Sequence, residues 1–195
     1  MPKFSANLGF LWTERSLPDA IRAAHKAGFD AVECHWPYDT DPAAIKSALE
    51  ETGLPMLGLN TLRGHPGENG LSALQGREVE ARAAIDQAIT YATEIGAQKI
   101  HVMAGFAQGP EAEETFKRNL TYACARAAPH TITVLIEPLN HYDAPDYFLS
   151  TSAHAKAIIE AVNLPNLKLM FDCYHLQIME GDITRRLTDL MPIIG

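Results

Sequence analysis

Little in this sequence is basic, and little of it is cysteine. Its 195 residues hold 16 Lys and Arg against 24 Asp and Glu, a formal net charge of −8, with no basic run longer than Arg185-Arg186. Gripping nucleic acid requires a positive surface, and an anionic membrane makes the same demand. Neither is expected as a partner. The three cysteines, Cys34, Cys124 and Cys173, are far apart and show no C-x-x-C spacing. That usage fits a reducing compartment, so the expected location is cytoplasmic. No uncharged stretch reaches the roughly 18 residues of a membrane span. The opening MPKFSANLGF lacks the apolar run of a secretion signal. G-x-G-x-x-G and G-x-x-x-x-G-K-[ST] are both missing, so no nucleotide cofactor is expected.

What is present is alternation. Short β-rich runs fall at Phe4–Leu8, Ala31–His35, Met56–Asn60, Lys99–Met103, Thr133–Glu137 and Lys168–Asp172. A segment of helical period follows each. Ser16 is a candidate N-cap before Leu17-Pro18-Asp19, and Gly28 is the stop. Asp41-Pro42 opens the second helix and Gly53 closes it. Arg77–Ile95 puts Ala81, Ala84, Ile85, Ala88, Ile89 and Ala92 on one face, with Gly96 as the stop. Glu111–Ala127, Ser152–Val162 and Asp182–Leu190 complete the helices. The early acids of Glu111–Ala127 suit the positive end of a helix dipole.

Strict β-α alternation predicts an α/β fold with a parallel sheet and helices outside it. A doubly wound sheet and a (β/α) TIM-type barrel compete. The first strand runs into Leu8-Gly9-Phe10-Leu11-Trp12 rather than a glycine-rich phosphate turn, which favours the barrel. A complete eight-unit barrel takes about 250 residues, so 195 residues correspond to roughly six units. The expectation is a single domain over residues 1–195 with six of eight βα units present.

Chemistry in parallel α/β folds collects at the C-terminal ends of strands. Here those ends carry Asn7, then Glu33-Cys34-His35-Trp36, then Asn60 with Arg63 and His65 in the following loop. His101, Glu137-Pro138-Leu139-Asn140-His141 and Asp172-Cys173-Tyr174-His175 end the other three. A buried lone carboxylate costs several kcal/mol unless it is paired or binds a cation. Glu137 and Asp172 each follow an apolar run directly and should converge on the barrel mouth. Two carboxylates with nearby imidazoles make a hard-ligand site suited to Mg²⁺ or Mn²⁺.

Plainer readings stand beside these. An acid at a strand end often caps the next helix. Glu33 can simply orient a neighbour, and His101 can be a satisfied core histidine. His35 and His65 read either way. His25, His130 and His154 read as surface groups, Glu111–Glu114 as a solvated helix start, and the cysteines as small buried hydrophobes.

The chain resembles the hydroxypyruvate isomerase family of xylose-isomerase-like TIM barrels. The matching segments are FSANLGF, GFDAVECHWPY, GREVEARAAIDQAITYA, IEPLNHYDAPDYFL and FDCYHLQIMEGDIT, in order along the chain. GENGLSALQGRE with IHVMAG is equally similar to 2-oxo-tetronate isomerases. The resemblance implies that Glu137 is a metal ligand and acid/base group and Asp172 a metal ligand. It makes His175, the histidine of a D-x-x-H pattern, a substrate contact. The family's strand-seven ligand and strand-eight glutamate have no counterpart here. Met191-Pro192-Ile193-Ile194-Gly195 falls where strand seven should begin.

The implied reaction interconverts hydroxypyruvate and 2-hydroxy-3-oxopropanoate (tartronate semialdehyde) through an enediolate. A divalent metal stabilises the charge and no redox cofactor is needed. The substrate is then a small anionic hydroxy-oxo acid, and Arg63, His65 or His101 would meet its carboxylate by location. The alternatives are a 2-oxo-tetronate isomerase, a ketose 3-epimerase on the same barrel, an inactive fragment of such an enzyme, and an AP-site nuclease, which the charge opposes. Unpaired edges on the first and sixth strands would favour a homo-oligomer.

Overall fold

A computed structural model describes all 195 residues. Six short strands are β1 (Ser5–Asn7), β2 (Ala31–Glu33), β3 (Gly58–Asn60), β4 (Lys99–His101), β5 (Thr133–Ile136) and β6 (Leu167–Leu169). The helices are α1 (Leu17–Ala27), α2 (Pro42–Thr52), α3 (Glu78–Ile95), α4 (Pro110–Ala127), α5 (Ser152–Val162), α6 (Cys173–Met179) and α7 (Ile183–Leu190). Two 3₁₀ turns, Ala128–His130 and Met191–Ile193, follow α4 and α7.

All strand pairs are parallel. β1 pairs β2, and β3 to β6 form a second run in order. A bridge between Val32 and Met56, with Cys34 N–H donating to Gly58 O at 3.1 Å, joins the two. The order is therefore 1-2-3-4-5-6 with no reversal. A doubly wound sheet must reverse its order at a switch point, so the TIM-barrel reading holds and the doubly wound one falls. Past β6, Ile194 pairs in parallel with Leu169, and Gly195 N–H donates to Leu169 O at 3.0 Å. The outer edge expected to lie open on the sixth strand is thus met at that point, while β1 pairs with β2 alone.

The caps follow the sequence. The Ser16 hydroxyl accepts from Asp19 N–H at 3.3 Å, and the Asp41 carboxylate from Ala43 N–H at 3.0 Å. Gly28 and Gly96 end α1 and α3 at φ 87° and 73°, a conformation a Cβ resists. Each of β2 and β4 begins within a few residues of such a stop. The ladders are shorter than the apolar runs, and hydrogen bonds such as Val102 N–H to Leu135 O at 2.9 Å continue the pairing just past them.

α6 is an element the periodicity did not reveal. At 7 residues it is too short to show a period. Asp172 starts it, its Oδ1 accepting from Tyr174 N–H at 2.6 Å and His175 N–H at 3.2 Å.

The core lies between sheet and helices and includes the fully buried Ile21, Ile45, Ile85, Ile100, Phe116 and Leu120. Each such side chain contributes about 1.5–3 kcal/mol by leaving water. Cys34 and Cys124 belong to this core, and burial pushes both thiols up to about 12. Cys173 is exposed, contrary to the reading of all three cysteines as buried. No helix is long and apolar enough to cross a membrane.

Candidate active site at the strand ends

A cavity of about 1110 Å³ opens where the C-terminal ends of the strands converge. Glu137 projects into it from the end of β5. Its side chain is only 12% exposed, and burial, with Asp172 and Glu33 nearby, pushes its carboxyl up to about 8. Asp172 faces it from the end of β6. One Asp172 oxygen is committed to capping α6, as the capping reading expects, while its side chain also lines the cavity. The other, Oδ2, lies 3.9 Å from His175 Nε2. One ligating atom each of Glu137, Asp172 and His175 falls within a 4.8 Å group.

His101 on β4 is buried at 3% exposure, with Nδ1 3.5 Å from Glu137 Oε2. Burial pulls its imidazole down to about 3, with His35 and His175 adding to the effect. Near neutral pH the contact therefore joins a neutral ring to a protonated carboxyl and is no ion pair. His101 Nε2 has no hydrogen-bond partner. It is not the satisfied core histidine that one reading expected.

The other side of the mouth is built from β1 to β3. The Arg63 guanidinium lies 4.3 Å from the Trp36 ring centroid, and its Nε donates to Asn69 Oδ1 at 3.1 Å. It is the one guanidinium lining the cavity. His35 meets Phe10 and Trp36 edge-on at 4.9 and 5.1 Å. Gly9 is required there, because a Cβ would overlap the His35 ring. Glu33 and Lys99 also line the cavity. Burial and the nearby Asp172 raise the Glu33 carboxyl while the Lys99 charge lowers it.

His65 is not brought to this cavity. It is exposed and lines an adjoining groove that shares Arg63, Asn69 and Asp143 with the cavity. Its loop is tied outward, with His65 N–H donating to Glu68 Oε2 at 2.6 Å and Arg77 Nη1 to Glu68 Oε1 at 2.7 Å. Of the three residues expected to meet the substrate carboxylate, Arg63 and His101 line the cavity and His65 does not.

Sequence reasoning gave no role to Asn140 and Asp143. Asn140 is fully buried, and its amide touches both Asp143 and His175. An amide three residues past a strand-ending glutamate, with a carboxylate three further on, was the available signal.

Two like charges facing each other in a largely buried cavity are stable only if one stays protonated or a cation sits between them. The donor set, two carboxylate side chains, is one that Mg²⁺ or Mn²⁺ accepts.

The xylose isomerase-like TIM barrel model matches residues 21–194. The chain is 42% identical to a 2-oxo-tetronate isomerase of Cupriavidus necator, over 96% of this chain and 74% of that one. It is 35% identical to the hydroxypyruvate isomerase of Escherichia coli, over 100% of this chain and 78% of that one. A crystal structure described as AP endonuclease, family 2, from Brucella melitensis is 38% identical. It superposes with a TM-score of 0.95, over 100% of this chain and 77% of that one. Strand order, strand-end carboxylates and these likenesses agree: the chain belongs to the xylose isomerase-like TIM barrel family and is an enzyme of isomerase type.

Proposed function

We propose that this enzyme interconverts hydroxypyruvate and 2-hydroxy-3-oxopropanoate by proton transfer through an enediolate. The observation that carries the reading is the convergence of Glu137, Asp172 and His175 at the mouth of one cavity. A 2-oxo-tetronate, one carbon longer, is the alternative substrate on the same chemistry, and the names of the relatives support both. Residues 1–195 act as one barrel domain in this reading, supported by a single continuous core.

Glu137 and Asp172 would hold a divalent cation, Mg²⁺ or Mn²⁺, and the buried pair of carboxylates is the feature that fits it. When bound, the cation supplies positive charge beside the substrate oxygen on which negative charge develops. The residues of the chain do the rest. Glu137 removes the proton from the hydroxymethyl carbon to leave the enediolate; a proton is returned to the neighbouring carbon, and the hydroxyl proton passes to the former carbonyl oxygen, so that no proton is gained or lost overall. Burial alone holds the Glu137 carboxyl protonated near neutral pH, so it takes up this proton only in the ionised form that a neighbouring cation would favour. His175 hydrogen-bonds a substrate oxygen. Arg63, at the rim, meets the substrate carboxylate with its planar fork.

The test is turnover of hydroxypyruvate, a 2-oxo-tetronate and a free ketohexose, each with and without chelator. Chelator-sensitive conversion of an oxo acid that Glu137→Gln removes is expected. Metal-independent turnover that survives Glu137→Gln overturns the proposal. Preference for the ketohexose would instead favour the epimerase reading.

A nuclease is the second reading, favoured only by the name of the Brucella neighbour. Net charge −8 and the lack of a basic stripe oppose it. Cleavage of a duplex carrying one abasic site would establish it.

A further inference from the structure

We infer that Asn140 is a positioning residue that fixes which nitrogen of His175 carries the proton. This makes His175 a hydrogen-bond donor to substrate and removes it from the cation's ligands. The inference rests on the active-site reading above and adds a residue to which that reading gives no role.

The amide orientation of Asn140 is decided by its neighbours. Its Oδ1 accepts from Tyr142 N–H at 2.9 Å and Asp143 N–H at 3.0 Å. Backbone N–H groups only donate, so the oxygen must face them and the NH₂ must face the other way. One side of that NH₂ donates to Asp143 Oδ2 at 2.8 Å. Asn140 and the Tyr174 hydroxyl hold the Asp143 carboxyl below the usual carboxylate range, so it stays an acceptor. The other side of the NH₂ lies 2.7 Å from His175 Nδ1. The backbone N–H of Asn140 also donates to His175 Nδ1, at 3.1 Å.

His175 Nδ1 therefore faces two donors and no acceptor. It must present its lone pair, and the proton of the neutral ring sits on Nε2. That nitrogen is 3.9 Å from Asp172 Oδ2, too far for a direct hydrogen bond. A proton-bearing Nε2 cannot ligate a cation. Of the three groups within 4.8 Å, only the two carboxylates are then available to a metal, and the histidine offers a donor beside them. Asn140 is fully buried, and all of its amide valences are used, so the arrangement is rigid.

The decisive measurement is a long-range ¹H–¹⁵N correlation spectrum of the whole chain with ¹⁵N-labelled histidine, metal-free, at about pH 8, where unperturbed imidazole is neutral. The His175 pattern should be that of the Nε2–H tautomer. An Nδ1–H pattern overturns the inference. Asn140→Asp keeps the oxygen that caps Tyr142 and Asp143 and replaces the donor with an acceptor. It should move His175 toward Nδ1–H and lower kcat roughly tenfold to a hundredfold, with KM changed far less. An unchanged tautomer in that variant also overturns the inference.

Mn²⁺ binding gives a readout that does not depend on whether Asn140→Asp folds. His175→Gln should leave Mn²⁺ affinity within about twofold, whereas loss of a true ligand costs well beyond the roughly tenfold seen for supporting groups. A large loss of Mn²⁺ affinity in His175→Gln would make the histidine a ligand and end the inference. The spectrum is read without substrate. A chain inactive on every oxo acid but showing Nε2–H would defeat the proposed function and leave the role of Asn140 standing.

Discussion

The two arcs of the cavity mouth differ in how their polar atoms are balanced. The arc from β4 to β6 carries Glu137, Asp172, His101 and His175, with one carboxyl held protonated by burial and one imidazole nitrogen unpartnered. The arc from β1 to β3 carries Trp36 and Arg63, packed on one another and each hydrogen-bonded, with His35 edge-on against Trp36. Trp36 Nε1–H donates to Thr61 O at 3.0 Å, and Asn69 takes one donor of Arg63. Ser5 Oγ and Asn119 Oδ1 are also unpartnered, but of the three residues only His101 lines the cavity, where a ligand would offset the cost of an unsatisfied buried polar group. Satisfied groups with one face open mark recognition. On this division, the β4–β6 arc reacts and the β1–β3 arc selects.

The sharpest break in that contrast is Glu137→Gln. It should lower turnover roughly 10²–10⁴-fold, the usual worth of a positioned acid/base group. Stability gives a second signature. The folded carboxyl titrates at about 8 against an ordinary value of 4.5. Between those values unfolding releases a proton, so stability of the metal-free chain falls as pH rises through the window and levels off above it. A divalent cation should remove the slope by holding the folded carboxyl ionised. Gln at 137 should remove it too. Thermal melts spanning that window, with and without Mn²⁺, read both effects. A slope unchanged in Glu137→Gln would show that another group carries it.

Asp172→Asn comes next, and it separates two roles that one residue plays. Asn caps helices about as well as Asp, so α6 should persist by circular dichroism. The charge facing Glu137 is lost. Turnover should fall roughly a hundredfold, with a large loss of Mn²⁺ affinity. If Asp172 were only a cap, both would stay near wild type.

How far this division could be read from the sequence varies by residue. Glu137 and Asp172 were legible because each stands at the end of an apolar run, where a charge is out of place. Ser16, Asp41, Gly28 and Gly96 were legible because capping is local chemistry. The role of Asn140 was not, since its partner lies 35 residues away and the hydrogen bond forms only once β5 and β6 are neighbours. α6 was hidden by its 7-residue length. The strand order needed the bridge between β2 and β3, a pairing that sequence spacing does not distinguish from a reversal.

Arg63→Ala tests the selecting arc. Its guanidinium lies over Trp36 and keeps donors open to the cavity rim. Losing one charge-assisted contact to a substrate carboxylate costs about 1.5–3 kcal/mol. That shows as a rise in KM of roughly tenfold or more, with kcat little changed. Lys at 63 should restore only part, because an ammonium neither forks nor stacks as a guanidinium does. A fall in kcat with constant KM would instead place Arg63 among the reacting groups and blur the two arcs into one.

The smallest effect is expected at His65, in the loop that follows β3. By chain position it belongs with Arg63, yet only Arg63 reaches the cavity. Its backbone N–H is held by Glu68, which is held in turn by Arg77 beyond the loop. The ring stays exposed outside the cavity. His65→Ala should therefore leave kcat and KM within about twofold, since surface substitutions away from such features shift energies by only about 0.5 kcal/mol. Arg77→Ala is the informative partner, because it removes the tie rather than the ring. If freeing the loop raises KM while His65→Ala does nothing, then the outward tie preserves the shape of the selecting arc, and Arg63 depends on a loop whose own histidine takes no part in binding.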